Sequence, residues 1–306
     1  MAIPTSRVKT AAIVSIDQNK CNSCGQCLQV CSAFCLEQRD DQAVCAETSL
    51  LECFACGQCQ AICPTGAITV NGRELGPEDF FDLPHANSAA TFEQILALFQ
   101  RRRSIRKFSS RPVDPDKVAK ILEAAQTAPI GLPPSDVKVL VLNSVEKNRA
   151  FAKDFCDIIK NVTWLTAPWF LTLMRPFWGK DNDQMFRNFV KPAINILIKH
   201  MDKGENMLTY DAPLSMYFYA TPLADPADPI VAATQAMLAG QALGLGTCMI
   251  GSVHPFLQWG SRSRRFREKY GITNKSPQGL LVLYGHSDLT FRKGITRTFA
   301  SIEMLP

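Results

Sequence analysis

The chain has no apolar run long enough to span a bilayer. Its longest uncharged apolar stretch runs from Asn161 to Met174 and is broken by Pro168, short of the ~20 residues a spanning helix requires. The opening segment, MAIPTSRVKTAAIVSID, lacks the continuous apolar core and cleavage site of a secretory signal. The three arginines Arg101–Arg103 lie mid-chain, where they cannot act as a twin-arginine export signal. No G-x-G-x-x-G loop occurs, so the dinucleotide-binding fingerprint is missing. Solenoid repeats and low-complexity tracts are absent too. His200, His254 and His286 show no partner in the sequence, which favours structural or solvated roles over catalysis. These absences lead us to expect a cytoplasmic protein with no transmembrane segment.

What remains is globular. Of 306 residues, 46% are hydrophobic and 20% charged, enough for a large packed domain and a small one. The formal net charge of +5 is unevenly placed. Residues 1–75 carry Arg7, Lys9, Lys20, Arg39 and Arg73 against Asp17, Glu37, Asp40, Asp41, Glu47, Glu52 and Glu74, a net of −2, so the remainder carries +7. A basic part beside an acidic one suits an anionic cofactor or an acidic redox partner. It is too dilute to indicate nucleic acid.

Eight of the twelve cysteines fall into two copies of one spacing. Cys21, Cys24, Cys27 and Cys31 read C-x-x-C-x-x-C-x-x-x-C; Cys53, Cys56, Cys59 and Cys63 repeat it, followed by Pro64. This resembles the bacterial ferredoxin pattern for two [4Fe–4S] clusters, in which the fourth cysteine of each run ligates the other run's cluster. The pattern assigns Cys21, Cys24, Cys27 and Cys63 to the first cluster, and Cys53, Cys56, Cys59 and Cys31 to the second. Zinc is the competing reading, because paired C-x-x-C motifs also bind it, but zinc needs only two such pairs. Ser32 replaces the usual proline after Cys31, and the insert between the runs holds Cys35 and Cys45. Either could be a small buried hydrophobe, and Cys35 could stand in for Cys31, though the spacing favours Cys31. Cys156 and Cys248 read as core residues.

The chain divides into residues 1–75, a Gly/Pro/Asp-rich linker at 76–90 and a second domain at 91–306. Short β-type runs at 13–16 and 67–70 predict a hairpin closing the first part, whose small apolar core implies that ligation holds it together. Thr91-Phe92-Glu93-Gln94 is a capping box leading into an apolar stripe of Ile95, Leu96 and Phe99. Asp114-Pro115 starts a second helix with Val118, Ile121, Leu122 and Ala125 on one face. Strands are predicted at 137–142, 167–174, 214–220, 248–250 and 279–284, separated by helices near 144–160, 184–202, 229–243 and 262–270.

Arg102-Arg103-Ser104-Ile105-Arg106-Lys107-Phe108 gathers guanidinium forks and a hydroxyl near a chain reversal, a donor set suited to a phosphate or an anionic ring edge. On charge alone, a solvated basic face at a helix C-terminus is the better reading. The order R-R-S-x-R-x-F, helix, Ala128-Pro129, strand, then Ala242-Leu243-Gly244-Leu245-Gly246-Thr247 before Ile250-Gly251 resembles the nitroreductase family of FMN enzymes over roughly residues 91–306. The implied fold is α+β: a small ferredoxin-like 2[4Fe–4S] domain followed by a nitroreductase-like three-layer α/β/α FMN domain. The resemblance implies that Arg102, Arg103, Ser104 and Arg106 contact the flavin pyrimidine edge, ribityl chain and phosphate. It implies that Pro129, Ile130 and Gly131 touch an FMN held mainly by the other subunit of a homodimer. The backbone at Gly251 or Ser252 would face flavin N5, and Lys293 and Arg297, with Arg292 an alternative, would reach the phosphate. The loop Ile130-Gly131-Leu132-Pro133-Pro134-Ser135-Asp136 departs from the Ser/Asn/Gln-rich loop of many relatives, so polar contacts there fall to backbone, Ser135 or another segment.

The aromatic segment 164–178 reads as a lid over the flavin, a dimer-interface core or, less well, a membrane contact. The functional expectation is an iron–sulfur flavoprotein oxidoreductase. Electrons would pass from an external carrier (ferredoxin or NAD(P)H) through two clusters to FMN and on to a small organic acceptor such as a nitroaromatic, quinone or activated double bond. No catalytic side chain is expected. The alternatives are NAD(P)H-driven reduction of the clusters through FMN, a flavin-handling enzyme, and a non-catalytic electron carrier or redox sensor.

Overall fold

A computed structural model of the chain describes residues 3–49 and 51–305. Strand β1 (Ile13–Ile16) pairs antiparallel with β4 (Ile68–Asn71), with Ile13 opposite Asn71 and Ile16 opposite Ile68. Between them lie two short helices, α1 (Gln26–Val30) and α2 (Gln58–Ile62), and a hairpin of β2 (Leu36–Arg39) and β3 (Gln42–Cys45). That hairpin accounts for the long insert between the cysteine runs. It turns at Asp40 and Asp41, both at positive φ (48° and 60°), the conformation that two-residue hairpin turns require and that Asp tolerates. The buried core of this module is mostly alanine and cysteine; Leu36, Ile68 and Val70 are its only large members among the described residues. At about 1.5–3 kcal/mol for each buried large side chain, so small a core needs the help of ligation.

Two 3-10 turns at Pro77–Asp79 and Ala86–Ser88 lead to α3 (Phe92–Arg101). Its capping box forms: the Gln94 amide donates to Thr91 Oγ1, and the Thr91 amide donates to Gln94 Oε1 at 3.0 Å. Asp114 caps α4 (Pro115–Gln126) by accepting from the Asp116 amide. The second domain is then built on a four-stranded antiparallel sheet in the order β5 (Val137–Leu142), β6 (Leu214–Ala220), β8 (Gly279–Gly285), β7 (Gly246–Ile250). The central strands β6 and β8 are buried on both faces. Alternation along them, the period of two that a pleated strand imposes, divides the core. Leu214, Met216, Phe218, Leu280, Val282 and Tyr284 pack with α4 and α8 (Asp228–Ala242). Tyr217, Tyr219, Leu281 and Leu283 pack with α5 (Val145–Val162) and with residues from α9 (Val253–Phe256) and α10 (Ser261–Lys269). Helices therefore cover both faces, giving the three-layer arrangement expected from the sequence. Cys156 and Cys248 are core residues.

The strand expected at 167–174 is not formed. Residues 163–166 make a 3-10 turn and α6 (Pro168–Met185) follows, continued by a π-turn into α7 (Lys191–Asp202). A short apolar run cannot separate strand from helix by periodicity. Pro168 at the first helical position, where its missing N–H costs nothing, favours the helix, and only Leu171 in the expected run is buried. Gly179 interrupts α6 with φ of 84°. Among the described residues no helix is long and apolar enough to cross a membrane.

Two apolar surfaces lack cover. Phe92, Ile95, Leu96 and Phe99 of α3 are exposed, as are Phe291, Ile295, Phe299 and Ile302 in the extended tail after β8.

Candidate functional site

The two cysteine runs build the same local structure twice. Each starts with a loop whose third and fifth residues are left-handed, Ser23 and Gly25 in one, Ala55 and Gly57 in the other (φ 58°, 70°, 59° and 72°). Left-handed backbone at a non-glycine residue costs about 1–2 kcal/mol; here it recurs at matching positions of the two loops. Gly25 and Gly57 then cap α1 and α2, which carry the buried Cys27 and Cys59, while Cys31 and Cys63 close the two helices.

The short helices deliver their terminal cysteines crosswise. One cavity is lined by Cys21, Cys24, Cys27 and Cys63, the other by Cys53, Cys56, Cys59 and Cys31, with Cys35 beside it. The Ala67 amide donates to Cys63 Sγ at 3.3 Å, and the Cys35 amide donates to Cys31 Sγ at 3.3 Å. Both donors sit four residues after their cysteine, so Cys35 occupies the place of Ala67 in the other half. Its own thiol contacts the Leu51 carbonyl at 3.2 Å, and burial pushes it up to about 11. Cys45 is exposed beside the Val14 carbonyl. Burial raises the Cys27 and Cys53 thiols and lifts Cys59 to about 12. Burial acts upward on Cys63 as well, but the Thr65 hydroxyl and the Thr65, Ala67 and Ile68 amides bring it below the usual thiol value. Among the described residues no group of three or more His, Cys, Asp or Glu side chains converges closely enough for a single metal ion.

The second site is a cleft of about 1070 Å³ between the end of α3, the β7 edge and the carboxyl-terminal tail. Arg102, Arg103, Lys293 and Arg297 line it, with Arg101 and Arg292 beside them and no Asp or Glu among its lining residues. The Arg102 guanidinium is driven below its usual value by burial, then by the charges of Arg297 and Arg103. Such crowding of cations is a standing demand for an anion. The arginine segment is held there by a parallel bridge of Ser104 to Thr247 and by the Ile105 amide donating to the Thr247 carbonyl at 2.9 Å. Gly246 permits this approach: a Cβ there would lie 2.8 Å from Ile105 Cγ1.

The remaining positions singled out from sequence stand apart from this cleft. Arg106 is exposed; burial raises the Cys248 thiol, and the Arg106 charge works against that rise. Gly251 and Ser252 are exposed just beyond β7, at the end away from Gly246, about 16 Å along the strand. Pro129, Ile130 and Gly131 line no part of the cleft in their own chain. They lie beside the start of α8, where the Gly131 amide donates to Asp228 Oδ1 at 3.0 Å.

Sequence reasoning missed a third set of residues, which join the two domains. Ser6 donates its amide and hydroxyl to Asp136, and Thr221 donates to the same carboxylate. Arg7 donates to the Ser135 carbonyl at 3.2 Å and pairs with Glu74. Arg73, only 4% exposed, donates to the carbonyls of Thr10, Phe54 and Pro133. No motif marks these positions, since each acts through a backbone group or a partner distant in sequence.

The fold and the two sites define a two-part protein, a thiol-rich module joined to a three-layer α/β/α domain that carries a cationic cleft. The profile of the nitroreductase family matches residues 99–286, and that of the 4Fe-4S binding domain matches residues 49–69, which contain the second cysteine run. The chain belongs to the nitroreductase family. No curated protein matches it. Among solved structures it is similar to a nitroreductase with bound FMN from Bacteroides fragilis NCTC 9343 (16% identity over 70% of this chain and 99% of that one, TM-score 0.49). A nitroreductase with bound FMN from Desulfitobacterium hafniense DCB-2 has 20% identity over 68% and 97%, TM-score 0.47. An FMN-dependent nitroreductase from Clostridium difficile R20291 has 19% identity over 70% and 100%, TM-score 0.45.

Proposed function

We propose that this protein is an iron–sulfur flavoprotein oxidoreductase that carries electrons through two [4Fe–4S] clusters to FMN and reduces a small organic acceptor. The observation that carries this reading is the crosswise convergence of eight cysteines on two cavities, four to each, with Cys35 bordering the second as a fifth thiol. Zinc fits less well, because two C-x-x-C pairs suffice for it, whereas here two four-cysteine runs of one spacing stand together. Cys21, Cys24, Cys27 and Cys63 would hold one cluster, and Cys31, Cys53, Cys56 and Cys59 the other.

The cationic cleft fits the phosphate end of FMN. Arg102, Arg103, Lys293 and Arg297 bind and orient the anion there, and the Ser104 segment is fixed by β7. FMN, when bound, supplies two-electron chemistry toward the acceptor and one-electron chemistry toward the clusters. The uncovered apolar stripe of α3 and the apolar tail support a homodimer, since monomers rarely leave such surfaces open. In that dimer Pro129, Ile130, Gly131 and the Gly251–Ser252 turn would border the flavin ring. The external donor is a low-potential one-electron carrier such as a ferredoxin, acting in the cytoplasm.

Anaerobically purified protein is expected to contain iron and acid-labile sulfide for two cubes and one FMN per chain. In stopped flow, reduced ferredoxin is expected to bleach the flavin. Zinc in place of iron overturns the reading; rapid bleaching by NAD(P)H with none by ferredoxin reverses the direction of flow.

A further inference from the structure

The two cysteine sites have the same local build but unequal surroundings. In the first site the residue after the first cysteine is Asn22; in the second it is Phe54. Asn22, Ser23 and Cys24 are all exposed. The corresponding Phe54 and Cys56 are half-buried and Ala55 is buried. Among the described residues, no hydrogen bond or ion pair joins residues 21–25 or 63–67 to the flavin domain. The second site is different. Its Phe54 carbonyl accepts from Arg73 Nε at 3.2 Å, and the same guanidinium donates through Nη2 to the Pro133 carbonyl at 2.8 Å. Its third donor, Nη1, reaches the Thr10 carbonyl at 2.8 Å.

Arg73 is almost wholly buried, and its partners are carbonyls, not carboxylates. A buried cation without a counter-ion is costly. Four thiolates around a cluster leave net negative charge at the second site, which would supply the missing compensation. Arg73 also reaches the segment 129–136 that leads from Pro129 to the start of β5. Ser6 and Arg7 fasten the far end of that segment through Asp136 and the Ser135 carbonyl.

We propose that Arg73 is a positioning residue that seats the second cysteine site against the 129–136 loop, so that electrons reach the iron–sulfur module at the first site and leave it from the second. This rests on the function proposed above and gives that function its order. Each electron leaving the second site oxidises it by one, and the flavin domain gains that electron. Two such transfers, with two protons from solvent, balance the two-electron reduction of one organic acceptor. The reductant is the low-potential one-electron carrier, which meets the exposed Asn22–Cys24 edge.

The test is a potentiometric titration followed by EPR on the anaerobically loaded full chain, for wild type, Arg73→Gln and Arg73→Lys. Cys24→Ser and Cys56→Ser identify which wave belongs to which site. Removing the cation in Arg73→Gln is expected to move the second-site potential to more negative values and leave the first unchanged, because nearby positive charge favours the reduced cluster. Arg73→Lys keeps the charge but cannot hold three carbonyls in one plane. It is expected to restore the potential while transfer to flavin in stopped flow still slows by about tenfold or more, the scale of a small misplacement. Ser6→Ala, which loosens the dock without touching Arg73, is expected to slow transfer with both potentials unchanged. Flavin content and circular dichroism identify any variant that fails to fold; Arg73→Lys and Ser6→Ala keep the test decisive if Arg73→Gln does. If wild type passes no electrons between cysteine sites and flavin, the proposed function falls together with this order. If wild type does pass them but neither potential moves in Arg73→Gln, or only the first-site potential moves, this inference alone is overturned.

Discussion

Ser6 and Asp136 lie 130 positions apart, yet the Ser6 amide and hydroxyl both donate to the Asp136 carboxylate, at 2.9 and 2.5 Å. Thr221 Oγ1 adds a third donor at 2.8 Å. The carboxylate is buried at the start of β5 and next to the end of β6, so one side chain ties the amino-terminal strand of chain to the rigid sheet. The iron–sulfur module is thereby docked on the framework that also carries the 129–136 loop.

Replacing Asp136 by alanine would strand three donors. A loss of about 3 kcal/mol is expected, the scale for hydrogen bonds to a buried charged group. Burial acts to raise the Asp136 carboxyl, but the Ser6 hydroxyl and amide, the Thr221 hydroxyl and the Lys138 charge outweigh it, holding the group below 3.8. A depressed carboxylate contributes its stability above the ordinary value and loses it as pH falls through the lowered one. The dock is therefore expected to hold at pH 5 and to weaken only below the usual Asp range. Hydrogen exchange over residues 3–12 measures it; equal protection in wild type and Asp136→Ala would contradict the assignment.

Asp228 has the opposite sign. Burial is the main cause that raises its carboxyl above 3.8, with the Asp225 charge adding to it, despite the amides of Gly131 and Asp225. A carboxyl raised by folding leaves the protein more stable in acid, and that gain is lost as pH rises from 3.8 through the raised value. Asp228→Asn keeps an oxygen for the Gly131 amide and removes the buried charge. Its thermal midpoint at pH 7 is expected to equal or exceed wild type, and to fall behind below pH 4. A lower midpoint at pH 7 would show that the charge itself holds the loop.

Gly240 marks where α8 meets the sheet. A Cβ there would lie 2.7 Å from Tyr284 Cδ1 and 2.8 Å from Cε1, against a ring that is fully buried. Gly240→Ala gains up to about 1 kcal/mol in helix propensity but forces a shift in a packed core, typically about 1–3 kcal/mol. The second effect is expected to win, lowering the melting point by a few degrees, at about 2–4 °C per kcal/mol for a domain of this size. An unchanged melting point would mean that Tyr284 can yield.

The core was largely legible because burial writes itself as periodicity. Leu214–Ala220 and Gly279–Gly285 alternate between two helical layers, and the capping signals at Thr91 and Asp114 fall where α3 and α4 begin. The cysteine runs were legible because their repeated spacing resembles the bacterial ferredoxin pattern, which assigns the fourth cysteine of each run to the other site. The segment 167–174 was not, since a short apolar run reads alike as helix or strand and the proline position decides between them. Arg73, Ser6 and Asp136 were silent for another reason. An arginine that binds three carbonyls depends on the path of the backbone, and no residue type encodes its partners.

The cationic cleft separates binding from stability. Arg102 is repelled by Arg297 and Arg103 and partly desolvated, so Arg102→Ala is expected to leave the flavin-free protein as stable as wild type or more so. Loss of a charged contact to a phosphate is worth about 1.5–3 kcal/mol. The FMN dissociation constant is therefore expected to rise by about tenfold or more, read by fluorescence of released flavin. Arg297→Ala should behave alike. A variant that loses stability but keeps its FMN would place the phosphate elsewhere.

Cys35 and Cys31 both border the second cavity, and the choice between them as ligand is open to a direct count. The Cys35 amide donates to Cys31 Sγ as the Ala67 amide donates to Cys63 Sγ. Cys35 therefore stands where the other half of the module has alanine, and its contribution there is a backbone N–H. Cys35→Ala keeps that N–H and is expected to retain the iron of both cubes with unchanged visible absorbance. Cys31→Ala removes one thiolate of four and is expected to lose about four irons per chain, one whole cube, leaving the first-site EPR signal in place. If Cys35→Ala loses the iron and Cys31→Ala keeps it, the fourth ligand is Cys35, and the repeat relating the two halves of the module is broken at that position.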